Sequence, residues 1–261
     1  NGSKPKIALC YPEKPKTYHI LYTILHSLGY KIVSDPAVKA DAVFAFADTT
    51  IRKENAVLTN LSNAHKVVNI DCLDISKEKV EKVFKEIFGY GMAVDPRTYK
   101  GKCVRKSNQN GKHDGKVINC PAEPEKGYIY QKVINNRYGD IVTDFRILIM
   151  NDTIPYAFKR YRSAYDRFDH TKRSAPANAP DCFSPEEMNK IFIFCRKFGL
   201  DNGELDIVRD RDDGRIYIVD VNNTPAAPRM GKQMTRREYY ADFLKKITKR
   251  FATEFLNAEQ L

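Results

Sequence analysis

The chain has 261 residues, of which 42% are hydrophobic, and its formal net charge is +11. This length and apolar content allow one compact domain or two to three lobes around a buried core, and they exclude an intrinsically disordered chain. No apolar run reaches the length that crosses a bilayer, so the composition predicts no membrane-spanning protein.

The positive charge is compatible with nucleic acid, with an anionic surface, or with an anionic small substrate together with a nucleotide. Lysine and arginine cluster in residues 97–116 and 159–173. No recognition helix, zinc finger or aromatic RNA-binding motif is present, which disfavours nucleic acid. We therefore expect anionic small ligands, and a basic nucleic-acid-binding protein without ATPase activity stays open as an alternative.

The six cysteines show no C-x-x-C spacing and no nearby histidine. This pattern favours free thiols in a reducing compartment over disulfides or a zinc site. No secretory signal pattern opens the chain, so the expected location is the cytoplasm.

Short strands alternate with a helix in the first 75 residues. Apolar strands are predicted at Lys6–Cys10, Lys31–Val33, Ala42–Phe46 and Val67–Ile70, and apolar residues recur at helical spacing over Tyr18–Leu28. Such alternation indicates a parallel sheet. No G-x-G-x-x-G follows the first strand, so the unit lacks a dinucleotide fingerprint.

Helix signals recur further along the chain. Ser76–Gly89 and Ser184–Gly199 each have a capping serine, an apolar stripe and a terminal glycine. Thr235–Glu238 is a capping box that predicts the start of a final helix. Ser163–Phe183 has an irregular composition, and we expect it to be a substrate-side loop.

A glycine-containing loop is predicted after a short strand at Lys102–Arg105. The strand leads through Lys106 into the polar residues 107–115. Gly111 and Gly115 let the backbone adopt left-handed conformations there and present N–H groups to phosphate. An ordinary polar hairpin loop is the alternative explanation.

Residues 127–134 and 144–162 are predicted to form strands from their aromatic and β-branched content. Alternation along the strands places the charged residues in pairs, each pair on one side: Asp144 with Arg146, and Arg160 with Arg162. Arginine binds phosphate or carboxylate bidentately, which favours an anion-binding role. An exposed ion pair between Asp144 and Arg146 is the alternative.

The stretch Gly203–Pro228 carries the residues from which we most expect chemistry. Two apolar strands flank the turn Asp212-Asp213-Gly214. With the turn centred there, Asp206 lies opposite Asp220, and Asn222 projects from the same face as Asp220. Converging carboxylate and amide oxygens are costly without a cation, and Mg²⁺ shared with phosphate suits them best. A hairpin with solvated acids is the alternative.

The order of these motifs resembles that of the ATP-grasp superfamily, which includes D-alanine–D-alanine ligase and glutathione synthetase. The shared features are a lysine before a glycine loop, a Gln-Lys strand end at Gln131-Lys132, an Asp-x-Arg strand, and an acid…acid-x-Asn hairpin. The resemblance spans residues 71–228 and implies an α/β ATP-grasp fold. It implies an N-terminal Rossmann-like domain (1–75), a trimmed small lobe with the glycine loop (76–135), and a large lobe with the metal site (136–261).

The resemblance also implies roles for single residues. Asp206, Asp220 and Asn222 would bind Mg²⁺, although the family usually has glutamate where this chain has Asp220. The implied nucleotide-binding residues are Lys106, Ser107, Gly111, Gly115, Gln131, Lys132, Val133, Ile134, Asp140 and Lys159. The implied catalytic residues, which would meet phosphate or substrate charge, are Arg146, Lys106, Arg160 and Arg162.

The function that the resemblance implies is ATP- and Mg²⁺-dependent joining of a carboxylate to an amine, or to a thiol, through an acylphosphate. The substrate would be a small and anionic amino acid, peptide or acid, and related ligases are often homodimers. Two further alternatives stay open: an ATP-grasp kinase that phosphorylates a small molecule, and a catalytically silent nucleotide sensor.

Overall fold

Three β-sheets organise the computed structural model, which describes residues 4–168, 171, 173–227 and 237–256. The elements around the first sheet are β1 (Ile7–Pro12), α1 (Ile20–Ser27), β2 (Lys31–Val33), β3 (Ala42–Phe46), α2 (Ala56–Ser62) and β4 (Val67–Val68). The strand order is β2-β1-β3-β4 with every pair parallel, so the predicted parallel sheet is confirmed. Helix α2 was not predicted, because Leu58 is its one buried residue and gives no periodic stripe.

The second sheet is small and antiparallel. Its elements are the preceding helix α3 (Lys77–Phe88) and the strands β5 (Gly101–Ser107), β6 (Lys116–Cys120) and β7 (Tyr128–Lys132). The order is β6-β5-β7, which puts the predicted glycine loop at the tip of the β5–β6 hairpin.

The third sheet is the largest. Its strands are β8 (Arg137–Tyr138), β9 (Ile141–Met150), β10 (Thr153–Ser163), β11 (Arg173–Ala177), β12 (Asn202–Arg209) and β13 (Ile216–Asn222). They follow the order β11-β10-β9-β12-β13, and β8 pairs with β9. The helices of this part are α4 (Ala179–Cys182), α5 (Pro185–Phe198) and α6 (Arg237–Phe255).

The predicted irregularity of Ser163–Phe183 is wrong for most of the stretch. The structure has a 3-10 turn at Ala164–Asp166, followed by β11 and α4. Strand β11 has the sequence RSAPA, which lacks β-branched residues, so its conformation comes from antiparallel pairing with β10.

Two faces of the large sheet pack against different partners. Residues paired across antiparallel strands share a face, so Ile147, Leu205 and Val221 form one apolar row. That face packs against α3 and α5. On the other face, Leu148 and Met150 join a core with α1, the parallel sheet and α6. Arg146, Asp206 and Asp220 also lie on this second face.

The predicted helix ends agree with the structure. Ser76 caps α3, and Ser184 forms a full capping box with Glu187 at the start of α5. Gly199 ends α5 with φ at 77°, and a Cβ there would lie 2.6 Å from the Asp71 carbonyl oxygen. Thr235 lies outside the described residues. Within the described ranges, no helix is long and apolar enough to cross a membrane.

Candidate active site

A row of charged residues crosses the second face of the large sheet. Asp206 pairs with Asp220 on β13 and with Arg146 on β9, so the predicted register of the hairpin is confirmed. The next row along the same face pairs Glu204 with Asn222. Because the rows are adjacent, three carboxylates, one amide and one guanidinium are concentrated at one place on the sheet.

Two arginines hold the Asp206 carboxylate. Arg146 donates from Nε to Oδ1 (2.8 Å) and from Nη2 to Oδ2 (3.0 Å), and Arg160 Nη2 lies 2.8 Å from Oδ2. Burial opposes ionisation of this carboxyl, but the two guanidinium groups outweigh it and hold its pKa well below the usual range. Asp206 is therefore an anion whose two oxygens already have partners.

Asp220 has a different environment. Its Oδ1 is buried without a hydrogen bond, and the Lys77 ammonium lies 3.5 Å away. Burial raises the pKa of this carboxyl, since the nearby lysines compensate only part of the desolvation. A buried carboxylate oxygen without a hydrogen bond is costly, so Asp220 is the residue of this row best suited to receive a cation.

Lys106 and Asn222 flank the two aspartates. Lys106 Nζ donates to the Val219 carbonyl (3.1 Å), and desolvation lowers the pKa of this ammonium to about 8. Asn222 Oδ1 accepts the Thr224 N–H (3.0 Å), and Asn222 lines the first of the two clefts described below. The donor set of Asp220, Asp206 and Asn222 is all oxygen, which suits Mg²⁺. The described residues contain no cluster of three or more His, Cys, Asp or Glu groups placed to hold a metal.

Asp144 anchors the arginines of β10. It is 5% exposed and accepts hydrogen bonds from Arg160 and Arg162. The alternative of an exposed pair between Asp144 and Arg146 is wrong, because Arg146 turns to Asp206 instead. Long-range register decides these partners, and residue spacing within one strand does not contain that information.

Three residues of the site were missed by the sequence analysis. Glu204 is 3% exposed, accepts a hydrogen bond from the Tyr156 hydroxyl, and has its Oε2 3.6 Å from Arg146 Nε. Lys77, the first residue of α3, reaches Asp220. Glu204 could have been predicted, because it lies two residues before Asp206 on the same strand and therefore on the same face. No feature of the sequence pointed to Lys77 or Tyr156.

Two clefts meet at this charged row. The first has a volume of about 730 Å³ and lies between residues 48–51, the glycine loop and the row. The second, of about 620 Å³, lies between the small and large sheets. The residues that line both are Lys77, Lys106, His113, Arg146, Phe168, Glu204, Asp206 and Asp220. The charged row is therefore part of the lining of both clefts.

Apolar and basic side chains both line the second cleft. The apolar lining residues are Met92, Val104, Ile134, Val142, Val208 and Val219. Gln131 and Lys132 also line it, and Lys132 Nζ donates to the Tyr217 hydroxyl (2.7 Å). Arg160, Arg162, Arg167 and Arg173 are its basic lining residues. A flat apolar ring and an anionic chain together would match this combination of side chains.

The glycine loop covers the first cleft. Ser107, Gly111 and Gly115 all line the cleft, and Gly111 has φ at 73°. The loop is docked at its tip, where the Asn110 N–H donates to Thr50 Oγ1 (2.9 Å). A Cβ on Gly115 would lie 2.9 Å from the ring of Phe168, so glycine permits this close contact.

Three residues predicted to bind nucleotide are absent from the described cleft walls. Asp140 is exposed at the β8–β9 turn, where Tyr165 donates to it (3.1 Å). Lys159 Nζ lies 5.6 Å from the ring centre of Tyr138, and Val133 is half-buried directly after β7, which ends at Lys132. Their predicted contacts with ATP are not supported by these positions.

Comparison with known proteins identifies the fold. No protein-family profile matches the sequence, and no curated protein matches it. Among solved structures, an ATP-grasp ligase, PsnB, complexed with a minimal precursor is 12% identical with a TM-score of 0.59, over 97% of this chain and 100% of that chain. D-alanine–D-alanine ligase from Bacillus anthracis is 12% identical with a TM-score of 0.55, over 95% and 98%.

A third similar structure is the D-cycloserine synthetase DcsG, which is 12% identical with a TM-score of 0.53, over 94% of this chain and 99% of that chain. Similarity at this level of identity defines architecture. The chain has the ATP-grasp fold, and the predicted fold class is confirmed.

Proposed function

We propose that this protein is an ATP- and Mg²⁺-dependent ligase that joins a carboxylate to an amine through an acylphosphate. The observation that carries the proposal is the charged row shared by two clefts. A phosphoryl group transferred between two substrates is stabilised by cations along its path, and Lys77, Lys106 and Arg146 line both clefts.

ATP would occupy the second cleft. Met92, Ile134 and Val219 would enclose the adenine, because their apolar side chains line this cleft. Lys106 and Arg160, which line the same cleft, would meet the phosphates. With a pKa of about 8, Lys106 is mostly protonated at neutral pH and can compensate phosphate charge.

Asp220 would be the principal Mg²⁺ ligand because its buried Oδ1 lacks a hydrogen bond, with Asn222 and Asp206 beside it. When bound, Mg²⁺ would neutralise phosphate charge and orient the terminal phosphate. Binding through Asp206 would require its oxygens to be shared with, or released by, Arg146 and Arg160.

The carboxylate substrate would enter by the first cleft. One of its oxygens would attack the terminal phosphorus, which releases ADP and leaves an acylphosphate against Arg146. An amine would then attack the acyl carbon and displace phosphate. The loop contact between Asn110 and Thr50 would keep water from the acylphosphate during this interval.

A Mg·ATP-dependent phosphate-release screen over amino acids, short peptides and small acids tests the proposal. A productive acid should release phosphate, and hydroxylamine added in place of the amine should trap the acyl group as a hydroxamate. ADP formation without phosphate release, with a phosphorylated product in ³¹P NMR, would replace the ligase by a kinase. Failure of every substrate mixture to turn over bound ATP would favour a nucleotide sensor.

A further inference from the structure

Two cysteine sulfurs in the small sheet lie within contact distance. Cys103 Sγ and Cys120 Sγ are 3.0 Å apart as free thiols. Cys103 pairs across the strands with Ile118, two residues before Cys120, so both side chains emerge on the same face of β5 and β6. Diagonal neighbours of this kind are within reach of each other in an antiparallel pair.

We propose that Cys103 and Cys120 are a redox-active dithiol that closes to an intramolecular disulfide when the protein meets a disulfide oxidant such as oxidised glutathione. The Cys120 thiolate attacks one sulfur of glutathione disulfide and expels one glutathione thiolate. Cys103 then attacks the Cys120 sulfur of the mixed disulfide and expels the second. Two electrons and two protons leave the protein, and two glutathione thiols form.

Accessibility sets the order of these steps. Cys120 is half-buried, whereas Cys103 is fully buried, and burial raises the pKa of the Cys103 thiol to about 12. Cys120 is therefore the thiol that meets the oxidant, and Cys103 is the resolving thiol. Cys10, Cys72 and Cys195 are buried inside the protein and do not compete.

The disulfide would anchor β6, the edge strand of the small sheet, to β5. The loop that it closes contains Lys106 and the whole glycine loop. Because the crosslink limits how far the hairpin can open, cleavage by a protease within residues 108–116 should slow by up to about 100-fold. Neither cysteine lines the two clefts, so the dithiol does not depend on the proposed ligase activity.

The test is incubation of the native protein with oxidised glutathione, followed by peptide mapping and timed proteolysis with and without reductant. We expect one Cys103–Cys120 crosslink, two free thiols fewer, and slower cleavage of the hairpin that reductant reverses. Cys182→Ser, which changes a half-buried cysteine outside the pair, should behave as wild type.

Cys103→Ser should retain glutathione on Cys120, because no resolving thiol remains. If this buried substitution prevents folding, Cys120→Ser on the edge strand replaces it and should show neither adduct nor crosslink on Cys103. Stable glutathionylation of Cys120 in the wild-type protein without the crosslink would overturn the proposal. So would a crosslink that leaves the proteolysis rate unchanged.

Discussion

At the scale of single residues, the two aspartates of the hairpin are directly paired but differ in their partners. Asp206 is bound by Arg146 and Arg160, while Asp220 has an oxygen without a hydrogen bond. The arginines compensate the charge of Asp206, whereas the lysines near Asp220, with Lys77 3.5 Å from its Oδ1, compensate only part of its desolvation. Because of this asymmetry, we expect neutralising Asp206 and neutralising Asp220 to have different effects on the protein.

Asp220→Asn should lower Mg·ATP turnover by at least about 100-fold, because the variant loses a metal ligand. Without the bound metal, it also loses the positive charge that stabilises developing phosphate charge. Its thermal stability should be unchanged or higher, since a buried carboxylate with incomplete compensation is removed. Phosphate release and thermal melting measure the two effects. Asp213→Asn, in the turn of the same hairpin, is the matched control and should retain activity.

Lys106→Met should raise the KM for ATP by at least about tenfold, since a charge-assisted hydrogen bond to phosphate contributes about 1.5–3 kcal/mol. Methionine is unbranched and only one heavy atom shorter than lysine, so the packing of β5 should change little. Steady-state kinetics at varied ATP measures the effect. Lys102→Met, at an exposed position on the same strand, should leave the KM for ATP unchanged. If the two variants had the same KM for ATP, Lys106 would not contact the nucleotide.

At the scale of elements, helix α5 is fixed to the hairpin strand β12 through one side chain. Glu187 completes the capping box with Ser184 and also pairs with Arg209 on β12. Burial opposes ionisation of this carboxyl, but the hydrogen bonds from Arg209 and Ser184 prevail, so its pKa lies below the ordinary 4.5.

Glu187→Gln should therefore reduce the free energy of unfolding by about 1 kcal/mol at pH 7. A lowered folded-state pKa contributes stability that is present above the unfolded value of 4.5 and is lost as pH falls through the lower, folded value. The difference between wild type and variant should thus disappear in strongly acidic solution. Urea unfolding at several pH values measures it, with Glu186→Gln, an exposed neighbour, as control.

Gly199 and Gly214 have similar backbone angles but different surroundings, so alanine substitutions at the two positions distinguish the cost of backbone strain from the cost of a steric clash. Gly199 and Gly214 have φ at 77° and 73°. A Cβ on Gly214 meets nothing within 4 Å, whereas one on Gly199 collides with Asp71. Gly214→Ala should cost about 1 kcal/mol in unfolding free energy, and Gly199→Ala should cost clearly more. If denaturant titrations gave the same loss of unfolding free energy for both variants, the close contact between Gly199 at the end of α5 and Asp71 would be contradicted.

At the scale of the whole molecule, the order of local motifs was sufficient to predict the ATP-grasp fold. The parallel first sheet, the capped helices α3 and α5, and the register that pairs Asp206 with Asp220 all follow from short-range patterns. The proposed division into three domains stays a prediction. Helix α3, assigned to the small lobe, packs against β13 of the large sheet.

The features that could not be predicted depend on contacts between distant parts of the chain. The capture of Asp206 by Arg146 and Arg160 requires β9, β10 and β12 to be neighbours, which residue spacing does not specify. The composition of β11 does not favour a strand. Strand β6 lies at an edge of the small sheet and pairs with β5 alone. The contact of the glycine loop with Thr50 likewise joins segments that are far apart in sequence.

The central claim is that ATP and Mg²⁺ meet at the row shared by the two clefts. A crystal structure of the protein with Mg²⁺ and a non-hydrolysable ATP analogue tests it most directly. We predict adenine between the small and large sheets, phosphates at Lys106, and Mg²⁺ on Asp220. An analogue bound elsewhere, or a nucleotide in this cleft with Asp220 remote from both metal and phosphate, would contradict the account.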